Sequence, residues 1–379
     1  MQRFRRTLAA TALALTAVLG VGSFAAADTQ SPVTGPPPGA AAWRADTVLG
    51  VPLPDPAGAG PAEVAAFFER LPLDQRRALA VRHPLVVGNL DGAPPALRYL
   101  ANGLALAEER RHELARAADP GLPGRDREAA RARAERYAAL AGRQILAFDP
   151  RGRGQVAEVY GDLTAARRTA VVVPGSDVDL MTFDRAGDPY GTPAGMARAL
   201  RGATGGQVAV VAWAGYTTPV GVGLDAATEG LARAGAARLD RLVAGLAPLT
   251  GPVAVFCHSY GSVVCGHTGA GPERISDLVV LGSPGTGLAR AAELRIPVWA
   301  VQRNAEDWIG RVPFVRVAGL GHGTDPTDPA FGARPLPSGG SHGHTGYFAP
   351  GSESLAAAAA VALRPMPGTA GTAEARDAA

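Results

Sequence analysis

Five short apolar runs recur through the second half of the sequence, at 169–174, 208–213, 253–257, 277–281 and 297–302. Helical patterns at 194–201, 229–246 and 261–268 separate most of them. A strand that is apolar at every position, not at alternate ones, must be covered on both faces. Such strands alternating with helices predict an α/β fold: a mostly parallel sheet with helices on both faces. In that arrangement ligands sit beyond the carboxyl ends of the strands. The chemistry is therefore expected in the loops that follow these runs.

Upstream the character differs. Residues 61–82, 94–118 and 125–144 carry Ala, Leu, Glu and Arg at helical spacing, with Pro84, the 92–95 stretch and 119–124 as breaks. Two apolar segments, 144–148 and 155–160, flank Asp149-Pro150-Arg151-Gly152-Arg153-Gly154 and read as a β-hairpin. A last helix is expected over 352–363. The expected layout is a signal peptide at 1–27, a flexible Pro/Gly/Ala leader at 28–60, a helical region at 61–143, an α/β domain at 144–363 and a disordered tail at 364–379. Residues 1–27 combine Arg3, Arg5 and Arg6, an uncharged run and Ala25-Ala26-Ala27, the three parts of an export signal. The alternative is a membrane anchor, but Ala, Thr, Gly and Ser insert weakly. Cleavage is the expected outcome, giving a secreted protein with no membrane span.

All 37 basic residues are Arg. Without a lysine amine there is no Schiff base, no Ser–Lys dyad and no lysine phosphate loop. Removal of the signal also removes three arginines and no acid, so the formal charge of +3 falls to zero. A near-neutral chain gives no electrostatic case for nucleic acid or an anionic membrane. The two cysteines, Cys257 and Cys265, lie at a strand end and on the helix running back along it. They are either a disulfide, which an exported protein keeps, or two buried thiols.

The run 253–257 leads directly into His258-Ser259-Tyr260-Gly261-Ser262, and a helix follows. Strand, sharp turn with Ser at its apex, then helix is a nucleophile elbow. The residues two before and two after the Ser must be small; here they are Cys257 and Gly261. A Ser hydroxyl needs a base to take its proton. The chain order of such sites is Ser, acid, His. Asp307 is the expected acid, after the 297–302 strand, with Glu306 as runner-up. His344 is the expected base, preferred to His342 in the same Gly/Pro-rich loop, which also holds His322. His258 adjoins the Ser and is read as structural. Two backbone N–H groups should form the oxyanion hole: that of Tyr260, and that of Ser176 after the strand ending Val173-Pro174-Gly175. Gly175, Trp213 and Tyr216 are candidates for the substrate pocket; Trp213 is equally readable as core.

At this point the residues resemble a known group. The segment 85–94, the Val-Pro-Gly strand end, Trp213 to Tyr216, His258 to Ser262 and His344 to Tyr347 look like the α/β-hydrolase family of unknown function common in high-GC Gram-positive bacteria. The resemblance covers roughly residues 60–363. It implies an N-terminal helical region joined to an α/β-hydrolase domain with a Ser-Asp-His triad, and it implies no defined substrate. Ser259 and His344 take the nucleophile and base positions, and Asp307 the acid. The expected function is an exported serine hydrolase cleaving a carboxylic ester, a small-molecule or lipid one, through an acyl-enzyme, with no metal or organic cofactor. The alternatives are a non-catalytic hydrolase-like binding scaffold, and a peptidase or acyltransferase using the same triad.

Overall fold

A computed structural model describes residues 29–365. The expected signal peptide and nearly all of the expected tail lie outside the described residues. The centre is an eight-stranded sheet in the order β1-β2-β4-β3-β5-β6-β7-β8. The strands are β1 (Ile145–Asp149), β2 (Gln155–Tyr160), β3 (Arg168–Val173), β4 (Val208–Ala214), β5 (Val253–His258), β6 (Ile275–Leu281), β7 (Val298–Val301) and β8 (Arg334–Leu336). The hairpin β1–β2 is antiparallel, β2 joins β4 antiparallel, and every pair from β4 to β8 is parallel. All five apolar runs became strands of the parallel part. β8 was not expected: it is three residues long and its first two are exposed, so no apolar run marks it.

Each central strand is buried along its whole length, and its residues divide between two cores. Val171, Val173, Val255 and Cys257 face the helix Gly230–Thr250 through Leu239, Leu242, Val243 and Leu246. Ala170, Val172, Ala254 and Phe256 face the other way, toward Met196, Leu200, Leu355 and Ala359 of the helices Pro193–Ala203 and Glu353–Ala362. Period-two alternation across a doubly covered sheet explains why these strands are apolar at consecutive positions.

The helical region forms a third cluster around Trp43, Phe67, Phe68, Leu79 and Val87. Its helices are Pro61–Glu69, Leu73–Arg82, Pro84–Asn89, Pro95–Ala118 and Gly124–Leu140. The single helix expected over 61–82 is divided before Leu73, where Pro72 has extended backbone. Pro84, expected as a break, is the first residue of a helix, a position whose N–H would be unpaired anyway. The Asn89 side chain donates to Phe148 O (2.7 Å) and accepts from Phe148 N (3.1 Å). It thereby occupies the free polar edge of β1.

The stretch expected as a flexible leader is instead packed where it is described. Ala40–Arg44 is a helix, Trp43 is fully buried and its indole N–H donates to Pro54 O at 2.7 Å. Gln30 N donates to Asp225 and Val33 N to Thr217. The Pro and Gly content suggested a linker, but one large aromatic supplies enough apolar burial to fix the segment.

Candidate active site

β5 ends at His258, and Ser259 follows at φ +54°. A non-glycine residue in this left-handed region is uncommon and strained. The neighbours hold it there. Ser259 N donates to Leu281 O on β6 (2.9 Å), and Ser259 O accepts from Ser262 N (2.9 Å). The helix Gly261–Gly266 starts one residue beyond Tyr260. Cys257 and Cys265 are bonded as a disulfide, joining the strand end to the far end of that helix. Of the two alternatives for the cysteine pair, the structure has the bridge.

Three side chains distant in sequence meet at this edge of the sheet. His344 Nε2 lies 2.9 Å from Ser259 Oγ, and His344 Nδ1 lies 2.8 Å from Asp307 Oδ1. Asp307 follows β7, and its side chain is fully buried. Its Oδ1 also accepts from Ile309 N (2.9 Å), and its Oδ2 accepts from the Tyr347 hydroxyl (2.6 Å). Burial alone would raise the Asp307 pKa, but the bonds from His344, Tyr347 and Ile309 outweigh it and hold the carboxyl below its ordinary value. The acid therefore stays ionised beside the imidazole. That polarity fixes the proton on Nδ1 and leaves Nε2 free to accept from the serine.

His258 supports this arrangement from the core side. Its Nε2 donates to the backbone carbonyl of His344 at 2.7 Å. Burial, with the neighbouring His344 second, lowers its pKa to about 3, so it is a neutral structural ring. Asn304 adds a second tie, donating from Nδ2 to Gly343 O at 2.8 Å. The loop bearing the base is thus held from β5 and from the loop after β7.

Gly175 packs directly on the serine: a Cβ there would stand 2.5 Å from Ser259 Cβ and 2.9 Å from Oγ. The turn that carries Gly175 and Ser176 therefore lies against the serine. Among the described residues, neither Ser176 N nor Tyr260 N donates a hydrogen bond within the chain. The Tyr260 side chain turns away, its hydroxyl donating to Thr228 O at 2.7 Å.

Trp213 and Tyr216 are not walls of the serine's surroundings. Both are buried, with ring centroids 5.8 Å apart, in the core on the Gly230–Thr250 side. Tyr216 donates its hydroxyl to Pro174 O at 2.7 Å. It braces the turn that carries Gly175 and Ser176 without lining a path to Ser259. Strands buried on both faces leave no outward position for a strand-end aromatic.

The other sequence candidates separate cleanly. Glu306 and His342 are exposed and pair with each other at 3.0 Å. His322 is buried and donates to Ala226 O. His267 lies 3.3 Å from Glu229. Sequence reasoning assigned no role to Tyr347, Gly282 or Trp308. A Cβ at Gly282 would stand 3.2 Å from His344 Cε1 and 3.3 Å from Asp307 Oδ2. Its signal was its place, directly after β6 at the reactive edge of the sheet. Trp308 adjoins the acid in sequence, and its ring centroid lies 4.8 Å from that of His344. No group of three or more His, Cys, Asp or Glu suited to a metal ion occurs among the described residues.

A family described as alpha/beta hydrolase matches residues 149–317. The fold is that of an α/β-hydrolase. The match includes Ser259 and Asp307; His344 lies beyond it. An uncharacterized protein of Mycobacterium tuberculosis is 28% identical over 389 aligned positions, covering 81% of this chain and 56% of that one. A shorter match, 35% identical, is to an uncharacterized protein of Mycobacterium bovis and covers 40% of this chain and 59% of the relative. The chain thus spans little more than half the length of the curated relatives it matches, and their uncharacterized state agrees with the resemblance to an actinobacterial family of unknown function. Among solved structures, a thermophilic esterase from Thermogutta terrifontis is similar over 36% of this chain and 42% of its own, at 16% identity and a TM-score of 0.22, too slight a likeness to bear on function.

Proposed function

We propose that this chain is an exported serine hydrolase that cleaves a carboxylic ester through an acyl-enzyme, with Ser259 as nucleophile, His344 as base and Asp307 as the acid that orients it. One observation carries the reading: the line from Ser259 Oγ through His344 to a buried, ionised Asp307, with both contacts under 3 Å. A buried carboxylate aimed at the far nitrogen of an imidazole has a chemical purpose that a surface ion pair lacks.

In the first half-reaction His344 Nε2 takes the hydroxyl proton as Ser259 Oγ attacks the carbonyl carbon. The amides of Tyr260 and Ser176 receive the developing oxyanion. Collapse expels the alkoxide, which leaves as an alcohol with the proton from His344. Water then attacks the acyl-enzyme with His344 again as base, releasing the carboxylic acid and restoring Ser259. No lysine and no cofactor enters. The disulfide supports export, because such bonds persist in oxidising compartments.

The test is labelling by a fluorophosphonate probe together with turnover of a panel of p-nitrophenyl esters and peptide anilides. Labelling lost in Ser259→Ala, with ester turnover and inert anilides, is the expected result. A folded chain that neither labels nor turns over any ester overturns the proposal.

A further inference from the structure

We propose that the loops around Ser259 form a collar that inserts into a lipid–water interface, so that the ester substrate is taken from a lipid aggregate. This inference rests on the serine-hydrolase reading for its substrate and on surface chemistry for its partner.

Large apolar side chains face solvent on two loops that follow strands at the reactive edge. Val220, Val222 and Leu224 come after β4; Trp308, Val315 and Val317 come after β7. Val222, Leu224 and Val317 are 64%, 63% and 56% exposed. Hydrogen bonds tie these loops together and to the site. Gly321 N donates to Ala227 O (2.8 Å) and His322 Nε2 to Ala226 O (2.7 Å). Asp177 N, next to the proposed oxyanion donor Ser176, donates to Pro219 O (2.8 Å). Trp308 packs on the base itself. The collar is therefore a fixed part of the site's rim.

Several charges on and beside these loops are paired within the chain. Asp177 Oδ1 accepts from Gly221 N, Asp225 from Gln30 N, and Arg316 pairs with Glu229. Facing water are the aliphatic side chains and one indole, with Arg311, the outer part of Arg316 and the Glu306–His342 pair among and beside them. An exposed apolar patch of this kind marks a binding surface. A protein seated on it would cover the approach to Ser259, whereas a lipid aggregate buries the collar and delivers substrate in one step. Trp beside Leu and Val, flanked by long Arg stems, is the side-chain set that settles at such boundaries. The near-zero charge of the chain without its first 27 residues points to apolar insertion over attraction to anionic headgroups.

The test uses the chain lacking residues 1–27, carrying Ser259→Ala, with sucrose-loaded phosphatidylcholine vesicles. Expected are co-sedimentation that falls at least tenfold with Val222→Asp and Leu224→Asp together, and quenching of fluorescence by brominated phosphatidylcholine that is lost with Trp308→Phe. In the chain with Ser259 intact, the two Asp substitutions leave turnover of the water-soluble p-nitrophenyl acetate within twofold. Absent sedimentation, sedimentation indifferent to the substitutions, or quenching that survives Trp308→Phe overturns the collar. If the Asp pair unfolds the chain, the Trp308 quenching decides alone. Vesicle binding by a chain that neither labels nor turns over esters sinks the hydrolase reading and leaves the collar standing.

Discussion

Tyr347 donates its hydroxyl to Asp307 Oδ2 at 2.6 Å, three residues after the histidine that bonds the other oxygen of the same carboxylate. One loop therefore delivers both the imidazole and the group that keeps the acid facing it. Burial, with the Asp307 carboxylate next, raises the Tyr347 pKa, so the phenol stays a donor.

Tyr347→Phe removes that donor and leaves a buried carboxylate oxygen unpaired. Loss of one such bond costs about 1–3 kcal/mol. We expect kcat to fall roughly tenfold with KM little changed, since the phenol meets Asp307 and not the substrate. Steady-state kinetics on a p-nitrophenyl ester measure this; an unchanged kcat means Asp307 is held by the other bonds alone.

Asp307→Asn keeps the shape of the acid and removes its charge, and its amide would favour the wrong imidazole tautomer. A drop in kcat of about 10⁴ is expected. Glu306→Gln, on the exposed pair with His342, should change kcat less than twofold. If Glu306→Gln were the damaging change, the acid would be misassigned.

How much of this was legible follows from what each residue does locally. Ser259 was readable because strand, turn and helix all leave marks within a dozen positions. Asp307 and His344 were readable only through chain order and loop placement. Their rivals Glu306 and His342 have the same chemistry and differ only in burial, which sequence does not carry. Trp213 and Tyr216 sit where a pocket wall would sit, but the core claims them because the sheet is covered on that face as well. The leader was misjudged because composition averages over Trp43, and a single buried aromatic outweighs many prolines. Tyr347 was seen only as part of a resembling motif, since a bond between residues 40 apart has no local signature.

Gly282→Ala places a methyl 3.2 Å from the His344 ring at a position with φ +54°. A side chain there is both strained and crowded. The expected result is a fall in kcat of tenfold or more with the fold retained, read by ester kinetics alongside circular dichroism. Full activity would mean the ring yields without losing its line to Ser259.

Stability should fall as the solution is acidified below about pH 6.5, and His258 is one reason. Its folded pKa of about 3 lies below its ordinary value of 6.5. Between those values the unfolded chain carries a proton that the folded chain refuses, so stability is present above 6.5 and lost on the way down to 3. Each such proton contributes a slope of about 1.4 kcal/mol per pH unit. His267 and His322, also lowered mainly by burial, add to it. Asp307 acts later: its depressed value makes its contribution vanish only below its ordinary 3.8. His258→Gln can still donate to His344 O and does not titrate. Urea unfolding at pH 7 and pH 5 should show a smaller difference in the variant than in the parent, and an equal difference would mean that His258 is not a buried neutral ring.

The disulfide joins cysteines eight positions apart on either side of the strained serine. Chain-entropy arguments give a loop of that size about 2–3 kcal/mol of stabilisation. Cys257→Ala with Cys265→Ala should lower the unfolding free energy by about that amount. The parent treated with a strong reductant under mild denaturant should lose the same. Because Ser259 sits inside the closed segment at φ +54°, the variant should also label more slowly with fluorophosphonate, as the relaxed turn swings Oγ away from His344 Nε2. Denaturant midpoints and labelling rates measured on the same preparations separate the two effects. A variant less stable yet labelling at the parental rate would mean that the β5 and β6 hydrogen bonds alone hold the turn, and the bridge serves stability only.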